Sequence, residues 1–103
     1  MVVAKRKGPR KLERHFKGVA NHRRIQILLL VAQKPGITLI DIAEEVHANM
    51  KTIAEHVRCL ALAGLLEKNH AANTVEHKLT PYGKKFHAFI KEFSNSQDIE
   101  SMG

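Results

Sequence analysis

The stretch from residue 22 to 33 (HRRIQILLLVAQ) constrains this chain more than any other, because a helix that is apolar on nearly every side cannot rest on a protein surface. Its unbroken apolar run, residues 27–32, is far shorter than the ~20 residues that cross a bilayer. The segment is therefore expected to be a buried central helix, capped by Asn21 and stopped by Lys34, Pro35 and Gly36. A chain of 103 residues has room for one such core and little room for a deep enzymatic cleft.

The flanking sequence supplies what must cover that helix. Leu12, Phe16, Val19 and Ala20 recur at the spacing of one helical face and predict a short first helix. Thr38 stands three residues before Asp41, the spacing of a capping box, and predicts a third helix over residues 39–46. After a four-residue break, Asn49 is placed to cap a fourth helix over residues 50–63, which Gly64 ends. At 100° per residue, Ile53, Val57 and Leu60 of that helix fall within about 60° of one another, with Lys51, Glu55 and Arg58 on the opposite side. One face packs and the other is free.

Beyond Gly64 the period changes. Val75, His77 and Leu79 alternate with Glu76, Lys78 and Thr80 as in a half-buried strand, and residues 71–73 supply the turn of a hairpin. Pro81 then opens a last helix in which Tyr82, Phe86, Phe89, Ile90 and Phe93 lie within about 60° of Phe86. The expected fold is mainly α, with about five helices and a small β-hairpin. Residues 11–93 form its single domain, residues 1–10 a flexible basic arm and residues 94–103 a disordered tail.

Charge separates the arm from the domain. The formal net charge is +7, and nine of the 17 Lys and Arg residues fall in residues 1–24 beside one carboxylate, Glu13. A positive field of this kind suits a phosphate backbone or an anionic surface. The rest of the chain is nearly neutral, so any duplex it holds must be met by a few placed cations. Lys5, Arg6, Lys7 and Arg10 of the arm, with Lys68 on the hairpin, are the candidates that charge alone selects.

Two helices joined by a tight turn, the second with a free polar face and followed by a hairpin, suit the reading of double-stranded DNA. A major groove about 12 Å wide admits one α-helix while the preceding helix crosses the phosphates. Three stretches, ANHRRIQILLLVA, TLIDIAEEVHANMKTIAEHVRCLALAGLLEK and VEHKLTPYGKKF, together resemble the winged helix-turn-helix transcriptional regulators of the ArsR-like type, with MarR-like repressors close behind. The resemblance spans residues 20–93. It implies a sequence-specific DNA-binding regulator in which Asn49, Met50, Lys51, Thr52, Ala54 and Glu55 face DNA and Arg58 lies near a phosphate. It also implies a homodimer through the first and last helices, with Leu12, Phe16, Val19, Tyr82, Phe86, Phe89, Ile90 and Phe93 at the interface. Two positions depart from the pattern: His47 stands where the turn usually has Gly, and the wing tip Ala71-Ala72-Asn73 lacks the usual Gly and Arg. His is among the residues tolerated at positive φ.

Other readings compete for several of these residues. Lys51 and Arg58 could be ordinary solvated charges. Glu55 could accept from a cytosine amino group or pair with Lys51 or Arg58 along the helix. Met50 could pack against helix three or touch a thymine methyl. Spacing argues against a metal site, since His87 has no ligand at i+3 or i+4, and helix three has no cysteine where the resemblance to metal-sensing regulators would place thiolates. The seven histidines are read as scattered surface residues, with no metal and no cofactor expected. Cys59 excludes an internal disulfide and reads as a small packing residue. No nucleophile motif or phosphate loop points to an enzyme. With no apolar leader at the start, the expectation is the prokaryotic cytoplasm, at the nucleoid when bound. The rival functions are a winged-helix module for protein or RNA contacts and a non-specific architectural DNA binder. An exposed cationic face on helix four favours DNA; an apolar patch there favours a protein.

Overall fold

Helix α2 (His22–Gln33) occupies the centre of a computed structural model that describes residues 7–95. Ile27, Leu28 and Val31 have no exposed surface at all. The Asn21 side chain accepts hydrogen bonds from the amides of Arg23 and Arg24, which caps the helix as its sequence predicts. Around α2 stand α1 (Pro9–Val19), α3 (Leu39–Glu45), α4 (Met50–Leu62) and α5 (Pro81–Ser94). Their core side chains include Val19, Ile42, Ile53, Val57 and Leu60.

The strands form one antiparallel sheet of order β1-β3-β2, from β1 (Ile37–Thr38), β2 (Leu66–Ala71) and β3 (Thr74–Leu79). The hairpin was expected and β1 was not. Two residues are too few for alternation to show in a sequence, and β1 is defined only by pairing Ile37 with His77 and Thr38 with Glu76.

Two boundaries shift. Pro9 opens α1, so Pro9 and Arg10 belong to a helix rather than to the arm expected over residues 1–10. Proline has no amide to lose in a first turn, and its fixed φ is already helical. Ser94 closes α5 with Asn95 as its C-cap, inside the tail expected from residue 94. Residues 1–6, including Lys5 and Arg6, and residues 96–103 lie outside the described residues.

The stripe expected on α1 divides as well. Val19 is buried in the core, and so is lost to any interface with a second chain, whereas Leu12 and Phe16 are 41% and 50% exposed. The register follows from how tightly α1 meets the end of α4: a Cβ on Gly18 would lie 2.1 Å from the Ala63 Cβ. His15, expected on the surface, is buried there too. Its Nδ1–H donates to the Ala63 carbonyl at 2.6 Å, and its ring lies against Tyr82 and Phe86.

His77 is the second buried histidine, and its Nδ1–H donates to the Ile37 carbonyl at 2.9 Å, tying β3 to β1. Burial pushes its pKa below the usual histidine value, more strongly than the Ile37 bond raises it, with the Lys68 charge adding to the depression. The folded state thus holds this imidazole neutral while the unfolded chain protonates it near pH 6.5. Its stabilising contribution is complete above that pH and is lost as pH falls below it. Melting temperature is expected to drop between pH 7.5 and 5.5, and His77→Gln, which keeps a donor for Ile37, should flatten that drop. Equal slopes in the two proteins would exclude His77 as its source.

Candidate nucleic-acid interface

The turn between α3 and α4 is built so that α4 leaves the body of the protein with its polar face outward. The Thr38 side chain accepts from the Asp41 amide and starts α3. At its end His47 takes φ 53°, the left-handed conformation that its side chain tolerates better than most, and the Ala48 amide returns to the Ala43 carbonyl at 3.0 Å. Asn49 then accepts from the amides of Lys51 and Thr52. From α2, the Arg23 guanidinium donates to the Val46 carbonyl at 3.0 Å and fixes the turn from behind.

With Ile53, Val57 and Leu60 buried, the opposite face of α4 is open: Asn49, Met50, Lys51, Thr52, Glu55 and Arg58 are exposed and Ala54 is half-buried. Met50 is 46% exposed, so it is not absorbed by packing against α3. Glu55 and Arg58 are joined, with Arg58 Nε donating to Glu55 Oε2 at 3.1 Å. That bond holds the Glu55 carboxyl below the usual carboxylate range. Cys59 sits half-buried beside the pair, its Sγ 3.9 Å from Glu55 Oε1.

The hairpin flanks this helix. Ala72 takes φ 53° at the tip, and Thr74 Oγ1 donates to the Ala71 carbonyl. Lys68 and His70 on β2, with Thr38, Ile40 and Ala54, line an open cleft of about 350 Å³ between the hairpin and the helix pair. Ile40 is 55% exposed. In the sequence its place off the apolar spacing of Leu39, Ile42, Ala43 and Val46 is the sign of an outward position. Two further cations escaped the sequence reading. Arg23 and Arg24 look like the polar start of a core helix, yet α2 brings them beside α4. Arg24 Nε donates to His56 Nδ1 at 3.2 Å, and partial burial, followed by the charges of Arg24 and Arg23, lowers the His56 pKa. A neutral ring is what accepting that bond requires.

The remaining site residues fall elsewhere. Lys7 places its Nζ 4.0 Å from the centre of the Tyr82 ring, a cation–π contact on α5 rather than a position at α4. Arg10 is exposed on α1. Leu12, Phe16, Phe86 and Phe89, with Lys85, enclose an open apolar groove where α1 and α5 meet, and Phe16 meets Phe86 edge to face at 5.1 Å. Tyr82 and Phe93 are exposed, while Phe86 and Ile90 also pack on the core. Among the described residues no three His, Cys, Asp or Glu side chains gather as metal ligands, and no helix is long and apolar enough to cross a membrane.

Residues 21–68 match the family model described as bacterial regulatory protein, arsR family. No relative was found among curated proteins. Among solved structures, the chain is similar to the homodimeric winged helix-turn-helix DNA-binding domain of a possible ArsR-family transcriptional regulator from Mycobacterium bovis. The TM-score is 0.76 at 22% identity, over 90% of this chain and 91% of that one. It is similar to HlyU from Vibrio cholerae, with TM-score 0.76 and 21% identity over 86% and 97% of the two chains. FabT from Streptococcus pneumoniae, solved in complex with DNA, matches with TM-score 0.70 and 14% identity over 88% and 70%. The fold is a winged helix-turn-helix, in which α3 and α4 are the helix pair and β2–β3 the wing.

Proposed function

From the match of residues 21–68 to the arsR-family model, we propose that this chain is an ArsR-type transcriptional regulator that binds double-stranded DNA as a homodimer. The observation that carries the reading is the α4 face: Lys51, Thr52, Glu55 and Arg58 stand exposed in a row with Ala54 at its edge, between the turn and the wing. Exposed apolar side chains occur only at the ends of that face, at Met50 and Leu62, so it lacks the central apolar patch of a protein-binding helix. The α4 N-terminus enters the major groove, and α3 with the wing residue Lys68 flanks the phosphates.

Dimerisation runs through α1 and α5, where Leu12, Phe16, Tyr82, Phe89 and Phe93 remain exposed on one chain. A two-fold axis there sets the two copies of α4 about 34–36 Å apart, one turn of duplex, which calls for an inverted-repeat site. The charges of Lys5 and Arg6 add affinity without sequence preference. The protein works in the bacterial cytoplasm, carries out no catalysis and needs no cofactor.

Selection of bound duplexes from a random library tests the reading. Enrichment of an inverted repeat with half-sites 10–10.5 base pairs apart is expected. Binding without enrichment of any sequence would replace it with an architectural role, and no binding at physiological salt would remove DNA as the partner.

A further inference from the structure

A second cationic surface lies outside the helix-turn-helix. At 100° per residue, Arg10, Arg14 and Lys17 of α1 fall within about 60° of one another, on the side away from Leu12 and Phe16. With Arg24 of α2 they line an open groove of about 490 Å³ against Cys59 and Leu62 of α4. The floor is made of small residues, Gly18 and Ala63 among them, so the cations stand up as its walls.

Two of the guanidinium groups are held in place by backbone. Arg14 Nε donates to the Leu62 carbonyl at 3.0 Å, and Arg24 Nη1 donates to the Lys17 carbonyl at 3.3 Å while its Nε is bonded to His56. Each keeps further N–H donors for another partner. Glu13 is the one carboxylate of the groove and pairs with Lys17. Among the described residues Arg10, Arg14 and Arg24 lie within ion-pair distance of no carboxylate. Their charges are left available to an external anion, and the positive field they share attracts one.

The groove is also continuous with the α4 face. Lys51, Glu55, Arg58 and Leu62 lie within about 60° on that helix, so its open stripe runs straight to Arg14. Lys51 and Leu62 are about 17 Å apart along the axis, longer than the roughly 12 Å width of a major groove. A helix entering N-terminus first therefore has its C-terminal end at the phosphate wall.

We propose that the groove between α1 and the C-terminal half of α4, walled by Arg10, Arg14, Lys17 and Arg24, is a second DNA-contacting surface that binds duplex phosphates beside the major groove. The proposal rests on DNA binding by α4 and adds α1 to the binding elements. Because the opposite face of α1 carries Leu12 and Phe16, dimerisation fixes both grooves relative to the two-fold axis.

The experiment measures duplex affinity of the full-length chain against salt. Each lost phosphate contact flattens the log–log slope by about 0.9, so Arg14→Gln with Arg24→Gln should flatten it by roughly two to three and a half units per dimer. Affinity should fall at least about tenfold for every sequence alike. Those arginines also hold backbone, so Arg10→Gln with Lys17→Gln serves as the variant that disturbs no bond to the main chain, and it should flatten the slope as well. Glu13→Lys adds a cation to the groove and should steepen the slope and tighten binding. Unchanged slopes and affinities in the Arg10/Lys17 and Glu13 variants, with binding still lost on Lys51→Ala, would overturn the groove alone. A wild-type protein that binds no duplex would overturn the DNA reading beneath it.

Discussion

Phe89→Asp is expected to convert the proposed dimer to a monomer at micromolar concentration, as read by light scattering, without unfolding the domain. Phe89 is 53% exposed and stacks on Phe93 at 5.7 Å, so its ring contributes little to the core of its own chain. Burying one Phe side chain is worth about 1.5–3 kcal/mol, and a two-fold interface contains each residue twice. Losing both copies costs roughly 3–6 kcal/mol, on the order of 10² to 10⁴ in the dimer constant. Adding Phe86→Asp enlarges the effect, but Phe86 also packs on the core and against Phe16, so the double variant requires a melting curve beside the scattering measurement. Monomers should also lose the avidity of two linked half-sites, about 10² to 10⁴ in affinity for an inverted repeat. A folded Phe86/Phe89 double variant that stays dimeric and binds as tightly would place the interface elsewhere.

The features legible in the sequence were those set by local chemistry. Asn21, Thr38 and Asn49 announce helix starts because an oxygen on a short side chain reaches the free amides of a first turn, and each does so here. Ile53, Val57 and Leu60 identify the buried face of α4 because helical spacing alone puts them together, and His47 occupies the left-handed turn where a tolerant residue was expected. What was hidden depends on partners distant in the chain. His15 looks like any charged-helix residue until Ala63, 48 positions later, supplies its acceptor. Strand β1 exists only through β3. Arg24 becomes part of a surface because α1 and α4 converge on it from opposite sides in sequence. Which helix neighbour Glu55 meets depended on a rotamer, and the side chain pairs with Arg58 rather than Lys51.

That pairing makes Arg58 the more sensitive of the two α4 cations to remove. Lys51→Ala deletes one exposed ammonium at the start of the helix, and should weaken duplex binding and flatten the salt slope by roughly two units per dimer. Arg58→Ala deletes a cation and also releases the Glu55 carboxylate, whose charge then faces the phosphates without compensation. Its loss of affinity should exceed that of Lys51→Ala, and Glu55→Ala in the same background should restore part of it. Glu55→Ala alone frees Arg58 and should tighten binding to all duplexes, while narrowing the difference between a selected site and a random one if the carboxylate accepts from cytosine. The exposed Glu55–Arg58 pair lies outside the core, so the melting temperature of each variant should stay within a few degrees of the parent. The measurement is fluorescence anisotropy at several salt concentrations on one selected and one scrambled duplex. If the Lys51→Ala, Arg58→Ala double variant keeps both its melting temperature and its affinity, α4 is not the helix that meets DNA.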